Sequence, residues 1–171
     1  NYSKDRINEE TAGHFLKILT GTPIRYQYST PEALQKFNKK GTCKGELVGG
    51  NLSILYSIAG SISDIDTNGK ILFLEDLDEY LYHIDRMMHQ LKRSGKLKGL
   101  KGLIIGGMND MRDNTIPYGK TAEEIITEAL EGTEFPVCFG FPAGHIPRNF
   151  PLIFGTEVTL EVAEEVTLTL Q

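Results

Sequence analysis

"KILFLEDLDEY", residues 70–80, is the stretch of sequence that decides the fold. Its residues 71–75 are mostly apolar and predict a buried strand. Residues 75–79 then include four carboxylates: Glu75, Asp76, Asp78 and Glu79. Because an unpaired carboxylate is costly to bury, this burst of charge predicts that the strand leaves the core at about Glu75.

A helix is predicted directly after this strand, over residues 78–97. Its apolar side chains recur with the spacing of one helix face: Tyr80, Ile84, Met87, Met88 and Leu91. Asp76 or Asp78 can cap the start of such a helix, since a carboxylate there accepts hydrogen bonds from the free N–H groups. We therefore expect Asp76, Asp78 and Glu79 to serve the helix start rather than chemistry.

Strands and helices alternate on both sides of this unit. Further strands are predicted at 23–29, around Leu47 and Val48, at 101–108 and at 136–145. Further helices are predicted at 8–21, from a cap at Asn51, and at 119–133 with Thr121 as cap and Gly132 as stop. Residues 31–41 fit a short helix or a loop, and residues 151–170 alternate like an antiparallel pair. This order predicts an α/β domain with a mixed, partly parallel sheet, flanking helices and a C-terminal antiparallel β extension.

The composition is that of a globular domain, and it argues against several classes of partner. The chain has 171 residues, 40% hydrophobic and 24% charged, with a net charge of −5. These values suit one domain with a sizeable core and argue against a nucleic-acid partner. The basic run at 91–101 contains no aromatic residue and predicts a solvated helix end. No apolar run approaches the roughly 18 residues that a membrane span requires, so no membrane partner is expected.

The cysteines and the start of the chain give two smaller indications. Cys43 and Cys138 are too few for a disulfide framework, and Cys138 lies in an apolar stretch as a predicted core residue. No signal peptide is recognisable, and the sequence begins at Asn1 rather than at a methionine. We therefore expect that an upstream segment is missing.

Polar side chains gather at three predicted strand ends. In parallel sheets, ligand groups collect at the carboxyl ends of strands. Here those ends are LVGGN (47–51), FLEDLDE (73–79) and GFPAGH (140–145). His145 stands in a loop beyond its strand, and such loops carry catalytic residues more often than average. A carboxylate from a neighbouring strand end could orient this imidazole, which would form the base half of a catalytic triad.

The other candidates form weaker patterns. The remaining histidines lie in predicted helices and are interpreted as surface or interface residues: His14, His83 and His89. Glu79 with His83, and Asp85 with His89, stand four residues apart, but no third ligand follows at a zinc-like spacing, so no metal site is predicted. The chain contains no G-x-S-x-G elbow, and Ser63 lies in a polar loop before a strand. Neither Cys43 nor Cys138 has an obvious activating partner, so no nucleophile is predicted within the chain.

Four segments, taken in order, resemble one known family. They are GELVGGNLSIL (45–55), GKILFLEDLDEYLYHIDRMMHQLKRSG (69–95), FGFPAGH (139–145) and PLIFG (151–155). Together they resemble the LD-carboxypeptidase family of serine peptidases over residues 45–162. The G-G-N-L-S segment, the I-L-F-L-E-D strand end and the I-D-R-M helix are specific in combination, whereas G-H alone would not be.

The resemblance implies a two-domain enzyme with a Ser–Glu–His triad. Residues 1–22 would connect from a missing N-terminal domain that carries the serine, and residues 23–171 would form a swivelling β/β/α-like C-terminal domain. By motif position, the glutamate is Glu75 and the histidine is His145. The expected substrate-binding residues, which otherwise would only form a tight turn before a helix, are Gly49, Gly50 and Asn51.

The same resemblance implies an activity. Members of the family release a terminal D-alanine from murein tetrapeptides in cytoplasmic cell-wall recycling, need no metal or organic cofactor, and often form dimers. We therefore expect a murein peptide substrate, a homodimer, and no activity from this chain without the N-terminal domain. A second hypothesis is the branch of the family that cleaves a peptide–nucleotide antibiotic and confers immunity. A third is a non-catalytic binding or assembly domain, in which Glu75 and His145 would lie apart.

Overall fold

The computed structural model describes residues 9–170. Within this range seven strands form one sheet: β1 (Ile24–Tyr28), β2 (Gly41–Asn51), β3 (Ile71–Leu77), β4 (Gly102–Asn109), β5 (Val137–Cys138), β6 (Glu157–Val162) and β7 (Val166–Leu170). The helices of the same range are α1 (Glu9–Leu19), α2 (Glu32–Gln35), α3 (Leu52–Ile58), α4 (Leu81–Arg93) and α5 (Ala122–Ala129). None of the helices in this part of the chain is long and apolar enough to cross a membrane.

The sheet is antiparallel on one side and parallel on the other. Its strand order is β1-β7-β6-β2-β3-β4-β5. The long strand β2 belongs to both halves, because residues 41–46 pair antiparallel with β6 and residues 47–51 pair parallel with β3. The predicted mixed sheet with an antiparallel C-terminal extension is thereby confirmed. The carboxyl ends of β2, β3 and β4 lie next to one another along one edge of the sheet.

Strand β3 is buried on both faces, as is usual for a central parallel strand. Leu72 and Leu74 join a core that includes residues of α3, α4 and α5. Ile71 and Phe73 point the other way and join the core of the antiparallel half. The helix predicted after this strand is α4, and its buried face carries four of the five predicted apolar residues: Ile84, Met87, Met88 and Leu91.

Several element boundaries differ from the prediction. Strand β2 continues through the glycine pair to Asn51, because its parallel pairing with β3 extends that far. Helix α4 begins only at Leu81, since Asp78 has a φ of +63°, which lies outside the helical region. Strand β5 contains only two residues, and the chain then continues as a loop towards His145. Asn51 and Thr121 cap α3 and α5 as predicted.

Helix α1 contacts the rest of the domain through Glu10, His14 and Ile18. The imidazole of His14 packs against the rings of Tyr26 and Phe150, with centroids 4.9 and 4.6 Å away, which makes it an interface residue rather than a surface residue, one of the two predicted alternatives. Glu10 forms a two-point ion pair with Arg148. Apolar side chains of α1 are more than half exposed at three positions, Phe15, Leu16 and Leu19. Helix α1 therefore presents an apolar face that the described residues do not cover.

Candidate active site

Glu75 occupies an irregular position near the end of β3. The pairing of β3 with β4 shifts here, because Leu74 is opposite Ile105 while Asp76 is already opposite Met108. Gly106 and Gly107 of β4 therefore face Glu75 as two residues against one. Such bulges redirect side chains and occur often beside active sites. The bulge thus lies in β4, directly opposite Glu75, whose carboxylate stands at the edge where the strands end.

The loop that carries His145 follows the same edge. After β5, the N–H of Phe141 donates to the carbonyl of Ile105 at 3.0 Å, and the N–H of Gly107 donates to the carbonyl of Ala143 at 3.0 Å. The loop thus continues along β4 beyond the last formal strand pair. These two bonds bring the next residues, Gly144 and His145, over the carboxylate of Glu75.

Glu75 and His145 are hydrogen-bonded. Glu75 Oε2 lies 2.7 Å from Nδ1 of His145 and 3.2 Å from its main-chain nitrogen. The carboxylate is nearly buried, with 7% of its side chain exposed, whereas the imidazole is 54% exposed. A carboxylate acceptor at Nδ1 requires the proton on that nitrogen, so the neutral ring carries its lone pair on Nε2. Within residues 9–170 Nε2 has no hydrogen-bond partner, which leaves it available as a base.

Gly144 allows this close approach. Its φ is +109°, a region that residues with a side chain rarely adopt. A Cβ at this position would lie 2.8 Å from Oε2 of Glu75, nearer than real Cβ contacts allow. Only glycine therefore lets the main chain pass over the carboxylate and return to it with the imidazole of His145.

The expected substrate-binding residues lie beside this pair, on the neighbouring strand. Asn51 is in register with Glu75, and Gly50 is in register with Leu74. The side chain of Asn51 is occupied within the protein, because Oδ1 accepts from Ile54 N at 3.1 Å and Nδ2 donates to Asp76. These two bonds fix the orientation of the amide and leave one N–H and one lone pair of it unused. Gly50 has no atom within 4 Å of the place where a Cβ would stand, so the surface beside Glu75 is open there.

The predicted capping role is wrong for Asp76 and Asp78. Helix α4 has Tyr80 at its N-cap position, and no side chain caps it. Asp76 instead faces the start of α3, where it accepts hydrogen bonds from the main chain and hydroxyl of Ser53. Asp78 forms a two-point ion pair with Arg112. The alternation of a strand separates residues that are adjacent in sequence, so Glu75 and Asp76 serve opposite faces of the sheet.

Glu79 also has its own partners. It lies 2.7 Å from the hydroxyl of Ser53, whose single proton it shares with Asp76, and 2.6 Å from Nδ1 of His83. Burial alone would raise the pKa of Glu79, but the hydrogen bonds from Ser53 and His83 outweigh it and hold the pKa below its usual value. This group faces the helical side of the sheet and is not part of the contact between Glu75 and His145.

The remaining candidates do not join the site. Ser63 lies exposed in the loop after α3, and His89 pairs with Asp85 on the surface of α4. Cys138 is fully buried, as predicted, and burial raises the pKa of its thiol to about 12, which suppresses its reactivity. Lys96, from the basic run interpreted as solvated, is largely covered and pairs with Asp64.

Two asparagines near the site were not predicted. Asn109 donates from Nδ2 to the carbonyl of His145 at 2.8 Å, and Asn149 accepts from the N–H of Gly144 at 3.1 Å. Asn109 is the last residue of β4, so the rule that pointed to the other strand ends could have found it. Asn149 follows an unstructured loop, and no pattern in the sequence marks it.

Comparison with known proteins gives consistent matches. The profile of a family described as the LD-carboxypeptidase C-terminal domain matches residues 44–160. A probable murein peptide carboxypeptidase of Bacillus subtilis is 36% identical over 132 residues, which are 75% of this chain and 40% of that protein. The microcin C7 self-immunity protein MccF of Escherichia coli is 30% identical over 131 residues, which are 73% of this chain and 36% of that protein.

A solved structure matches over nearly the whole domain. The muramoyltetrapeptide carboxypeptidase of Oxalobacter formigenes superposes with a TM-score of 0.84 and 27% identity, covering 96% of this chain and 55% of that one. The chain thus spans about half the length of that structure. It spans less than half the length of the Bacillus and Escherichia proteins.

Proposed function

This chain belongs to the LD-carboxypeptidase family, and we propose that it supplies Glu75 and His145 to a Ser–Glu–His triad whose serine lies in another domain. The observation that carries the proposal is the short contact of 2.7 Å between Glu75 and Nδ1 of His145 at the carboxyl edge of the sheet. A non-catalytic domain gives no reason for a buried carboxylate to orient a half-exposed imidazole. The family profile covers both residues of the pair.

The chemistry of the pair follows from its geometry. The free Nε2 of His145 accepts the proton of the attacking serine as general base and then returns it to the leaving amine. Glu75 fixes the ring tautomer and stabilises the imidazolium that forms in between. Because Glu75 also binds the main-chain N–H of His145, the carboxylate holds both the ring and its backbone. The oxyanion donors come from the serine domain, and so does the nucleophile.

The proposed substrate is a murein tetrapeptide, from which the enzyme releases a terminal D-alanine in cytoplasmic cell-wall recycling. The names of the Bacillus and Oxalobacter proteins support this substrate class. Gly49, Gly50 and Asn51 form the adjoining wall of the cleft in this proposal. Gly50 leaves the surface open, and the main chain of Asn51 lies beside Glu75.

The proposal includes a partner domain and no activity without it. Helix α1 connects that N-terminal domain to residues 23–171, and its exposed face of Phe15, Leu16 and Leu19 offers an apolar surface for contact. The whole enzyme works as a homodimer and without a metal. The isolated 171-residue chain then has a base but nothing for it to deprotonate, and it hydrolyses no tetrapeptide.

The test uses the full-length protein with a murein tetrapeptide and measures released D-alanine. Glu75→Gln and His145→Ala should each lower kcat by about 10⁴-fold, as losses of triad members do. The matched controls are Glu131→Gln and His89→Ala, at exposed positions, which should keep the activity of the wild type. Hydrolysis within tenfold of wild type in either site variant would overturn the assignment.

A second candidate function is immunity to a peptide–nucleotide antibiotic. The 30% identity to the self-immunity protein MccF supports it, and the same pair of residues would serve. The two candidates differ in the substrate pocket rather than in the triad. Comparing kcat/KM for murein tetrapeptide and for an aminoacyl-nucleotide analogue in the full-length protein decides between them, and we expect the tetrapeptide to be preferred.

A further inference from the structure

Asn109 lies where three loops meet at the carboxyl edge of the sheet. It ends β4, and its side-chain Nδ2 donates to the carbonyl oxygen of His145 at 2.8 Å. Its own carbonyl accepts from the N–H of Asp78, just beyond β3, at 3.0 Å. One residue thereby connects the ends of β3 and β4 with the loop after β5.

His145 has few other restraints. Its side chain is 54% exposed, so packing restricts it little. Glu75 holds the ring at Nδ1 and the backbone at N–H. Both of these bonds reach the same carboxylate oxygen, and Asn149 holds the N–H of Gly144 just before His145, so the carbonyl side of His145 is the part that these bonds leave unrestrained. The bond from Asn109 to the carbonyl of His145 restrains that side.

We propose that Asn109 is a positioning residue, which fixes the main chain of His145 so that Nε2 faces the cleft while Nδ1 remains on Glu75. This inference rests on the proposed function. The support for Asn109 is itself rigid, because β4 pairs with β3 up to Asn109 and Asp78 is held by its ion pair with Arg112. Positioning of a reacting group to within about 1 Å is worth up to 10²-fold in rate.

The proposed role of Asn109 depends on its side-chain N–H, which donates to the carbonyl of His145. Asn109→Asp keeps the shape but sets a carboxylate oxygen against the carbonyl of His145, and two acceptors repel each other. Asn109→Ala removes the donor without adding a charge. The matched controls are Asn114→Asp and Asn114→Ala, in the loop that follows β4, where the residue is exposed and its side chain forms no hydrogen bond within residues 9–170.

The experiment measures two properties of the full-length protein. The first is hydrolysis of murein tetrapeptide, for which both Asn109 variants should lower kcat by about 10- to 100-fold and leave KM within about twofold. The second is the NMR signal of the Nδ1–H proton and ring nitrogens of His145, which should shift in both variants. The Asn114 variants should match the wild type in both measurements, and thermal unfolding checks that each variant is folded.

The two measurements separate the inference from the function on which it rests. If both Asn109 variants match the Asn114 controls in kcat and in the His145 signal, Asn109 does not position His145. If His145→Ala retains hydrolysis, the proposed function fails. The His145 signal then still decides whether Asn109 holds the residue in place, since it does not depend on turnover.

Discussion

The buried carboxylate of Asp76 gives a quantitative test of how the strand ends are held together. Asp76 is 2% exposed. It accepts hydrogen bonds from Asn51 Nδ2 at 2.8 Å, from Ser53 N at 2.9 Å and from Leu77 N at 2.9 Å, and it lies 2.8 Å from Ser53 Oγ, whose single proton it shares with Glu79. Asp76→Asn preserves the volume but removes the charge and replaces one acceptor oxygen by an amino group. We expect a marked loss of stability without a cavity.

The magnitude of the loss follows from these contacts of Asp76. If the amide nitrogen replaces Oδ2, the N–H of Ser53 loses its acceptor, which costs about 1–3 kcal/mol. The hydroxyl of Ser53 is spared, because it can donate to Glu79 at 2.7 Å and accept from the new amide. The two bonds to Oδ1 lose their charge-assisted part, about 1 kcal/mol together. If the amide nitrogen replaces Oδ1 instead, Asn51 Nδ2 and the N–H of Leu77 both lose their acceptor, and the cost is no smaller. The expected loss is about 2–4 kcal/mol, or about 5–15 °C in Tm.

Urea unfolding followed by circular dichroism measures this loss. The matched control is Asp110→Asn, at an exposed position with a φ of +53° that asparagine also tolerates. The control should unfold within about 0.5 kcal/mol of the wild type, as surface substitutions usually do. A loss below about 1 kcal/mol for Asp76→Asn would refute the reasoning, because one orphaned buried N–H alone should cost that much.

Three further predictions concern separate parts of the molecule. Gly144→Ala should lower kcat of the full-length enzyme by about 10- to 100-fold, because the new Cβ would press on Glu75. The control is Gly155→Ala, since Gly155 also has a positive φ but has open space where a Cβ would stand. Equal kcat values in the two variants would contradict the prediction. Thr121→Ala removes the capping box of α5 and should cost about 1 kcal/mol in urea unfolding; an unchanged midpoint would argue against the cap. Burial lowers the pKa of His14, so the unfolded chain binds its proton more readily. Stability should therefore fall as pH drops from 7 through 6.5 and below, and His14→Phe should flatten that part of the pH profile; identical profiles would refute it.

The fold could be predicted from the sequence wherever a pattern is local. The spacing of Ile84, Met87, Met88 and Leu91 indicated α4, and those four residues are buried in it. The capping residues Asn51 and Thr121 could be recognised because an N-cap depends on side chains within three residues. The length of β2 could not, since its continuation through the glycine pair depends on pairing with a strand more than twenty residues away.

In the candidate site, too, local motifs could be recognised from the sequence and long-range contacts could not. Glu75 and His145 could be named from their motifs, and the structure brings them to 2.7 Å. The partners of Asp76 and Asp78 could not be named, because Ser53 and Arg112 stand 23 and 34 residues away. A cap on the next helix was the nearest local explanation, and it is wrong.

The sequence by itself determined which residues are chemically suited to the site: a carboxylate at the end of an apolar strand and a histidine beyond another strand. The family resemblance singled out Glu75 among the four carboxylates, but only the tertiary structure decided how closely it meets that histidine and what Asp76, Asp78 and Glu79 contact instead. Strand alternation turns Glu75 to one face of the sheet and Asp76 to the other, and the bulge at Gly106 and Gly107 of β4 lies opposite Glu75. The physical reason is that a side chain's direction comes from the local sequence, whereas the groups it meets come from distant segments of the chain.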